Sequence, residues 1–230
     1  MDIISNILVG GLFLAQKLIQ KQKSKEKEEP KQEASVRLAL RALQKQLEVV
    51  RLREYLLMSG FAVGGAVLRV PMQAVPSAEP LSFFALLSGW LFGKKKGFLV
   101  GAGSLYLSNF MVFGGQGPWT VAQAFAFGVV GFLGGFLRKK STVIEVITVT
   151  IIATIVWEIM MNVASSLLFG FNILLAFASA VPFTLMHLAS NTGFAFLLKP
   201  ARALVLTKGG LHEKEVCKGL IARIKRRLHS

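Results

Sequence analysis

Ten polar or indole side chains stand out in this 230-residue chain because their surroundings are apolar: Arg69, Gln73, Glu79, Asn109, Gln116, Trp119, Gln123, Trp157, Glu158 and Asn162. An amide carries both donor and acceptor atoms, an indole offers a flat ring with one N–H, and a carboxylate accepts hydrogen bonds. Amides, carboxylate and indoles at one level suit a pocket for a small solute, and polar side chains inside apolar spans usually face a cavity or a partner. A plainer use competes. Arg69 can pair with Glu79 or Glu158, the amides can bond helix to helix, and a tryptophan at a helix end can serve as an interface anchor.

The densest part of the set is Gly114-Gly115-Gln116-Gly117-Pro118-Trp119-Thr120, with Gln123 one turn further on. The three glycines permit a sharp turn and a close backbone approach to a ligand. Pro118 suits the first turn of the following helix, and Trp119 and Gln123, four apart, share one face of it. Hydrolytic or nucleotide chemistry is not indicated. The chain has no HExxH, no GxSxG, no Walker motif and no cluster of Cys or Asp, and its single cysteine, Cys217, excludes an internal disulfide. His187 with Glu158 is too little for a metal or hydrolase site, and a lone membrane histidine is more often structural. We therefore expect a non-enzymatic protein with no metal and no cofactor.

The elements that would position these residues are long apolar runs. Hydrophobic residues make up 53% of the chain, yet the formal net charge is +15, with the charges lying between the runs. That pattern predicts an all-α membrane protein with six transmembrane helices. The expected spans are 55–70, 78–93, 97–113, 118–137, 142–169 and 173–198, with Pro182 bending the last and Pro200 ending it. The second is short for a bilayer core.

Three segments are expected on this basis: 1–54, an N-terminal extension; 55–200, the membrane domain; and 201–230, a basic amphipathic tail. Within the extension, 3–16 reads as an interfacial helix, with a seventh span as the lesser alternative, and 17–33 as a solvated linker or polar helix. Val36, Leu40, Leu43, Leu47 and Val50 then form one helical stripe. In the tail, Leu211, Val216, Leu220, Ile221, Ile224 and Leu228 oppose Lys and Arg.

Charge sets the expected topology. Lys and Arg precede the first span, fill the turns 94–96 and 138–140, and follow the last span. The positive-inside rule places these, and both termini, in the cytoplasm, and turns the loops 71–80, 114–119 and 170–172 outward. The basic excess is then accounted for by topology and anionic lipid, without nucleic acid.

Within this frame several motifs resemble those of the substrate-binding S components of energy-coupling factor (ECF) transporters. Ala62-Val63-Gly64-Gly65-Ala66 is similar to that family's AxxxA signature. Glu79-Pro80-Leu81-Ser82-Phe83-Phe84, Ser88-Gly89, Phe92-Gly93, Gly97-Phe98, Gly101, Ser108-Asn109-Phe110, Gly115 to Thr120, Gln123, Ala126 and Gly128 resemble the branch that includes cobalamin-type members. The resemblance covers about residues 60–135. The N-terminal extension and the basic tail depart from the family's compact plan. What it implies is a plasma-membrane subunit that captures a vitamin or related micronutrient from outside, cobalamin-like compounds included. Ala62 and Ala66 would contact a transmembrane coupling (T) subunit, and two separate ATPase subunits would drive release inward. A small secondary carrier or a structural membrane subunit is the alternative.

Overall fold

The computed structural model describes residues 2–75, 77–209, 211 and 213–228. The described residues are helical and contain no strand. The elements are α1 (Asp2–Met72), α2 (Pro80–Phe92), α3 (Lys94–Ser108), α4 (Trp119–Gly134), α5 (Val143–Phe169), α6 (Ile173–Lys208) and α7 (Glu213–Leu228). The chain divides into two compact units, residues 51–212 and residues 1–50 with 213–230. The candidate site residues all belong to the first.

In the smaller unit, of the two readings of 17–33, solvated linker or polar helix, the structure has the helix, continuous with Pro30 inside it. Lys, Glu and Gln are good helix formers, and their summed preference outweighs one proline at about 3 kcal/mol. Val36, Leu40, Leu43, Leu47 and Val50 are the less exposed face of this stretch. In α7 the covered face is Cys217, Ile221 and Ile224, while Val216 and Leu220 stay exposed. The side chains of 2–16, 18–19, 21–34, 213–215, 225 and 227–228 lie outside the description.

In the larger unit, contacts fix how each helix runs. Arg69 meets Glu79 and Gly64 meets Phe84, so α1 and α2 are antiparallel. Gly97 abuts Gly89, and Gly101 abuts both Ala85 and Phe127, so α3 returns along α2 and α4 returns along α3. Phe127 stacks near Trp157 and Trp119 near Phe169, which turns α5 against α4. Thr154 meets Asn191 and Glu158 meets Thr184, which turns α6 against α5. Six helical segments therefore alternate in direction. α2 lies among them and packs on α3, α4 and α6.

Small residues permit the tightest of these approaches. A Cβ on Gly89, Gly97 or Gly131 would run into the facing backbone, so α2, α3 and α4 touch main chain to main chain. Around them lie Ala85, Leu86, Leu87, Trp90, Val130, Val146, Ala153, Ala195 and Leu198.

Several expected boundaries move. Residues 94–96 are not a turn but the first turn of α3; the reversal is made by Gly93 alone, at φ 91°, a conformation glycine adopts without strain. Three lysines at a helix start oppose its dipole. Lys96 is held by Glu54 at 2.8 Å, and the Lys94 ammonium sits 3.3 Å from the Phe136 ring centroid. The third segment ends at Ser108 rather than 113, so Asn109 caps it. The fourth is shorter than 118–137, and Pro118 stands at its N-cap. Pro200 does not end α6, which continues to Lys208; Ala195 and Leu198 are buried just before it, and packing there carries the helix through the lost hydrogen bond. Thr142 and Glu145 form a reciprocal capping box that starts α5.

Among the described residues three helical segments are long and apolar enough to cross a bilayer: Ser35–Met72, Val143–Phe169 and Ile173–Lys208. Only 6% of the most apolar window of Ile173–Lys208 is buried inside the protein. Such an uncovered apolar helix is stable in lipid, and the chain reads as a membrane protein. The shorter apolar helices Pro80–Phe92 and Trp119–Gly134 have 13 and 16 residues, or about 20 and 24 Å.

Candidate functional site

The last turn of α1 brings Arg69 to the start of α2 and the end of α3. Its guanidinium donates from Nη1 to Ser108 Oγ and to Asn109 Oδ1, both at 2.9 Å, and from Nη2 to Glu79 Oε1 at 3.1 Å. Asn109 carries the chain of bonds onward. Its Nδ2 donates to Gln123 Oε1 at 3.0 Å and to Thr120 Oγ1 at 3.3 Å. Thr120 Oγ1 also accepts from the Gly117 N–H. One arginine thus ties α1, α2, α3 and α4 together at the end of the unit away from the basic turns. The Arg69 and Glu79 side chains are 14% and 21% exposed, so the pair is shielded but still reached from outside. Of the two partners considered for Arg69, the structure uses Glu79.

Beside this network is a cavity of about 270 Å³, lined by Arg69, Gln73, Glu79 and the loop residues Val75, Ser77 and Ala78, with Val112 and Phe113 opposite. Ser77 holds φ at 59°, a left-handed conformation that costs a non-glycine residue free energy and recurs at binding sites. Gln73 Oε1 accepts from the Phe113 N–H at 2.9 Å, closing the 71–80 loop onto the 109–118 loop. Pro76 lies outside the described residues. Glu79 Oε2 is buried without a partner among the described residues, so the carboxylate keeps acceptor capacity beside the cavity.

Gln116 is exposed, and its Nε2 donates to the Tyr106 carbonyl at 2.9 Å. Trp119 is partly buried, 6.4 Å from Phe169 between ring centroids. Neither lines the cavity beside Arg69. The glycines before Gln116 take positive φ, 90° at Gly114 and 55° at Gly115, as a tight turn requires.

The remaining candidates form a second group on the α5–α6 seam. Glu158 Oε1 lies 2.7 Å from His187 Nδ1, and its Oε2 accepts from Thr184 at 3.0 Å. The Trp157 ring stands edge-on to His187 at 5.0 Å. Asn162 donates to the Glu158 carbonyl at 2.9 Å, a bond within its own helix. One turn from His187, Asn191 donates to Thr154 at 2.9 Å and to Ser82 at 3.4 Å. Trp157 Nε1, His187 Nε2 and Asn191 Oδ1 are buried without partners among the described residues. No hydrogen bond among those residues links this seam to the Arg69 network. The ten candidates thus separate into Arg69, Gln73 and Glu79 lining the cavity, Asn109 and Gln123 in the hydrogen-bond network behind Arg69, Gln116 and Trp119 in and after the 109–118 loop, and Trp157, Glu158 and Asn162 on the seam.

The ten candidates do not include Ser108, Thr120, Thr184 or Asn191, and His187 was expected to be structural. A signal was present. Thr150, Thr154, Glu158, Asn162 and Ser166 recur every fourth residue, one polar line along an apolar helix. Ala66 is wholly buried and Ala62 partly so. Val63 and Val67 are each 50% exposed, and nothing lies within 4 Å of a Cβ placed on Gly60, so these three form the open side of α1. No family model, curated protein or solved structure matches the chain.

Proposed function

We propose that this protein is a substrate-capture subunit of the S-component kind, binding a small hydrophilic micronutrient at the Arg69–Glu79 end of a six-span membrane domain. The observation that carries the reading is the Arg69 network with its adjoining cavity. Arg69, Gln73 and Glu79 offer donors and acceptors where a solute can enter, and bonds to Ser108 and Asn109 hold Arg69 in place, at the end opposite the basic clusters. In this reading the helices alternate across the membrane, α2 to α4 making short spans, with both termini cytoplasmic and the cavity facing outward. At about 270 Å³ the cavity sits at the lower edge of small-molecule sites. That favours a compact solute over a corrinoid. With no nucleotide motif of its own, the chain would draw on a coupling subunit and two ATPase subunits. Ala66 being occupied by the protein's own packing, the contact would fall on Ala62 with Val63 and Val67.

Native mass spectrometry of the purified protein, looking for a retained small molecule, identifies the solute. In the same reading, Gln73→Ala weakens binding of that solute about two- to tenfold, as expected for one lost hydrogen bond of about 0.5–1.5 kcal/mol, while circular dichroism shows the helical fold intact. Unchanged affinity in Gln73→Ala removes the cavity from the site.

One observation favours a second reading, a small secondary carrier. Ionisable side chains inside spans recur in ion and proton pathways, and Glu158 with His187 is such a pair. Co-purification with ATPase subunits separates the two: an S component retains them and a secondary carrier does not.

A further inference from the structure

At the basic end of the larger unit, α1 and the end of α6 leave a groove of about 630 Å³ between them. Arg53, Leu56, Leu57, Gly60 and Phe61 line it from α1, and Lys208 and Gly209 from the other side. The apolar part is continuous with uncovered surface: Leu56 is 64% and Leu204 60% exposed. Gly60 keeps it open, since a Cβ there meets nothing within 4 Å. The two charged residues of the lining are both cations. This end of the unit also holds Lys94–Lys96 at the start of α3 and, through Trp90 and Arg202, the 138–140 turn: Trp90 Nε1 donates to the Arg138 carbonyl at 2.8 Å and Arg202 to the Lys139 carbonyl at 3.2 Å.

An apolar groove open to the bilayer side, with cations at the interfacial level, has the chemistry of a phospholipid site. The acyl chain covers Leu56, Leu57 and Phe61 at about 25 cal/mol per Å² of apolar surface removed from contact with water. The phosphate meets the cations, each worth about 1 kcal/mol near a membrane surface. We propose that the α1–α6 groove is a binding site for one anionic phospholipid of the leaflet that faces the basic turns, with Arg53 and Lys208 holding its phosphate and Gly60 admitting its acyl chain. The proposal rests on the chain lying in a membrane, and not on the solute cavity at the other end.

The test uses the delipidated full-length protein in neutral detergent, titrated with phosphatidylglycerol, phosphatidylcholine or inorganic phosphate and read by native mass spectrometry. One phosphatidylglycerol should be retained at least about fivefold more tightly than phosphatidylcholine, and inorganic phosphate should not compete at matched concentration. Lys208→Gln should remove most of that preference. Gly60→Phe should fill the groove and abolish retention of both lipids; its helicity and melting temperature without added lipid check that the fold is intact. Equal retention of the two lipids overturns the proposal. So does full competition by inorganic phosphate, which marks a simple anion site. Unchanged lipid retention in Gly60→Phe overturns it as well, as does a co-purifying protein lost from Gly60→Phe while lipid stays, which makes the groove a protein contact. Solute binding at the Arg69 cavity is indifferent to all of these variants, so failure here leaves the proposed function standing.

Discussion

Arg69 is the residue on which most depends. It satisfies Ser108 Oγ, Asn109 Oδ1 and Glu79 Oε1 at once, and its removal leaves a carboxylate and an amide oxygen without their donor. Cutting one partner from a shielded network costs more than the pair's net worth, because the survivor stays desolvated. Arg69→Ala should therefore destabilise the protein by about 1–3 kcal/mol. Glu79→Ala in that background should restore part of the loss. Chemical denaturation of the wild type, both single variants and the double variant in one detergent measures this. Strict additivity of the two changes would show that the bond at 3.1 Å contributes nothing to stability.

At the scale of elements, the contact of α2, α3 and α4 depends on glycine at the crossings. At Gly131 a Cβ would meet the Gly97 carbonyl, whereas at Gly103 it would meet nothing within 4 Å. Gly131→Val should separate α3 from α4 and lower the melting temperature by well over the roughly 4 °C that goes with about 1 kcal/mol, or prevent folding. Gly103→Val should be within about 0.5 kcal/mol of the wild type. Equal melting temperatures for the two variants would mean that main-chain contact is not what holds these helices. The seam between α5 and α6 works differently: there, side chains bond across at Glu158–His187, Glu158–Thr184 and Thr154–Asn191. The first set of helices is joined by shape and the second by hydrogen bonds, whose neutral members contribute about 0.6 kcal/mol each on average in membranes.

For the whole molecule, the alternation of the six segments makes a definite expectation about sidedness. With Cys217 replaced, single cysteines at Ala74 and Gln116 should react with an impermeant reagent added outside intact cells, and cysteines at Lys95 and Lys139 only after permeabilisation. Gln116 is exposed, and so is Ala74, so access by itself does not limit labelling. Labelling at Lys95 from outside would invert or break the arrangement. The lengths make this worth measuring: α2 and α4, at about 20 and 24 Å, are shorter than the roughly 30 Å core, so crossing requires local thinning of the bilayer or contributions from the flanking loops.

What the amino-acid sequence determined by itself was the helical class, the membrane character and the starts of α5 and α6, because these rest on local causes. Apolar length, the Thr142–Glu145 capping box and the Asn172 cap are all read within a few residues. The fourfold spacing from Val36 to Val50 likewise marked a covered face. Local signals misled where tertiary packing outweighed them. Pro200 sits in a helix whose neighbours are buried, and Lys94–Lys96 begin a helix because Glu54 and Phe136 receive two of the charges. Only the tertiary structure decided which polar residues meet. Arg69 and Asn109 are 40 residues apart, and Glu158 and His187 are 29. No spacing rule relates such positions. Which helices lie side by side does, and that follows from where glycine lets α2, α3 and α4 touch and from the hydrogen bonds that join α5 to α6.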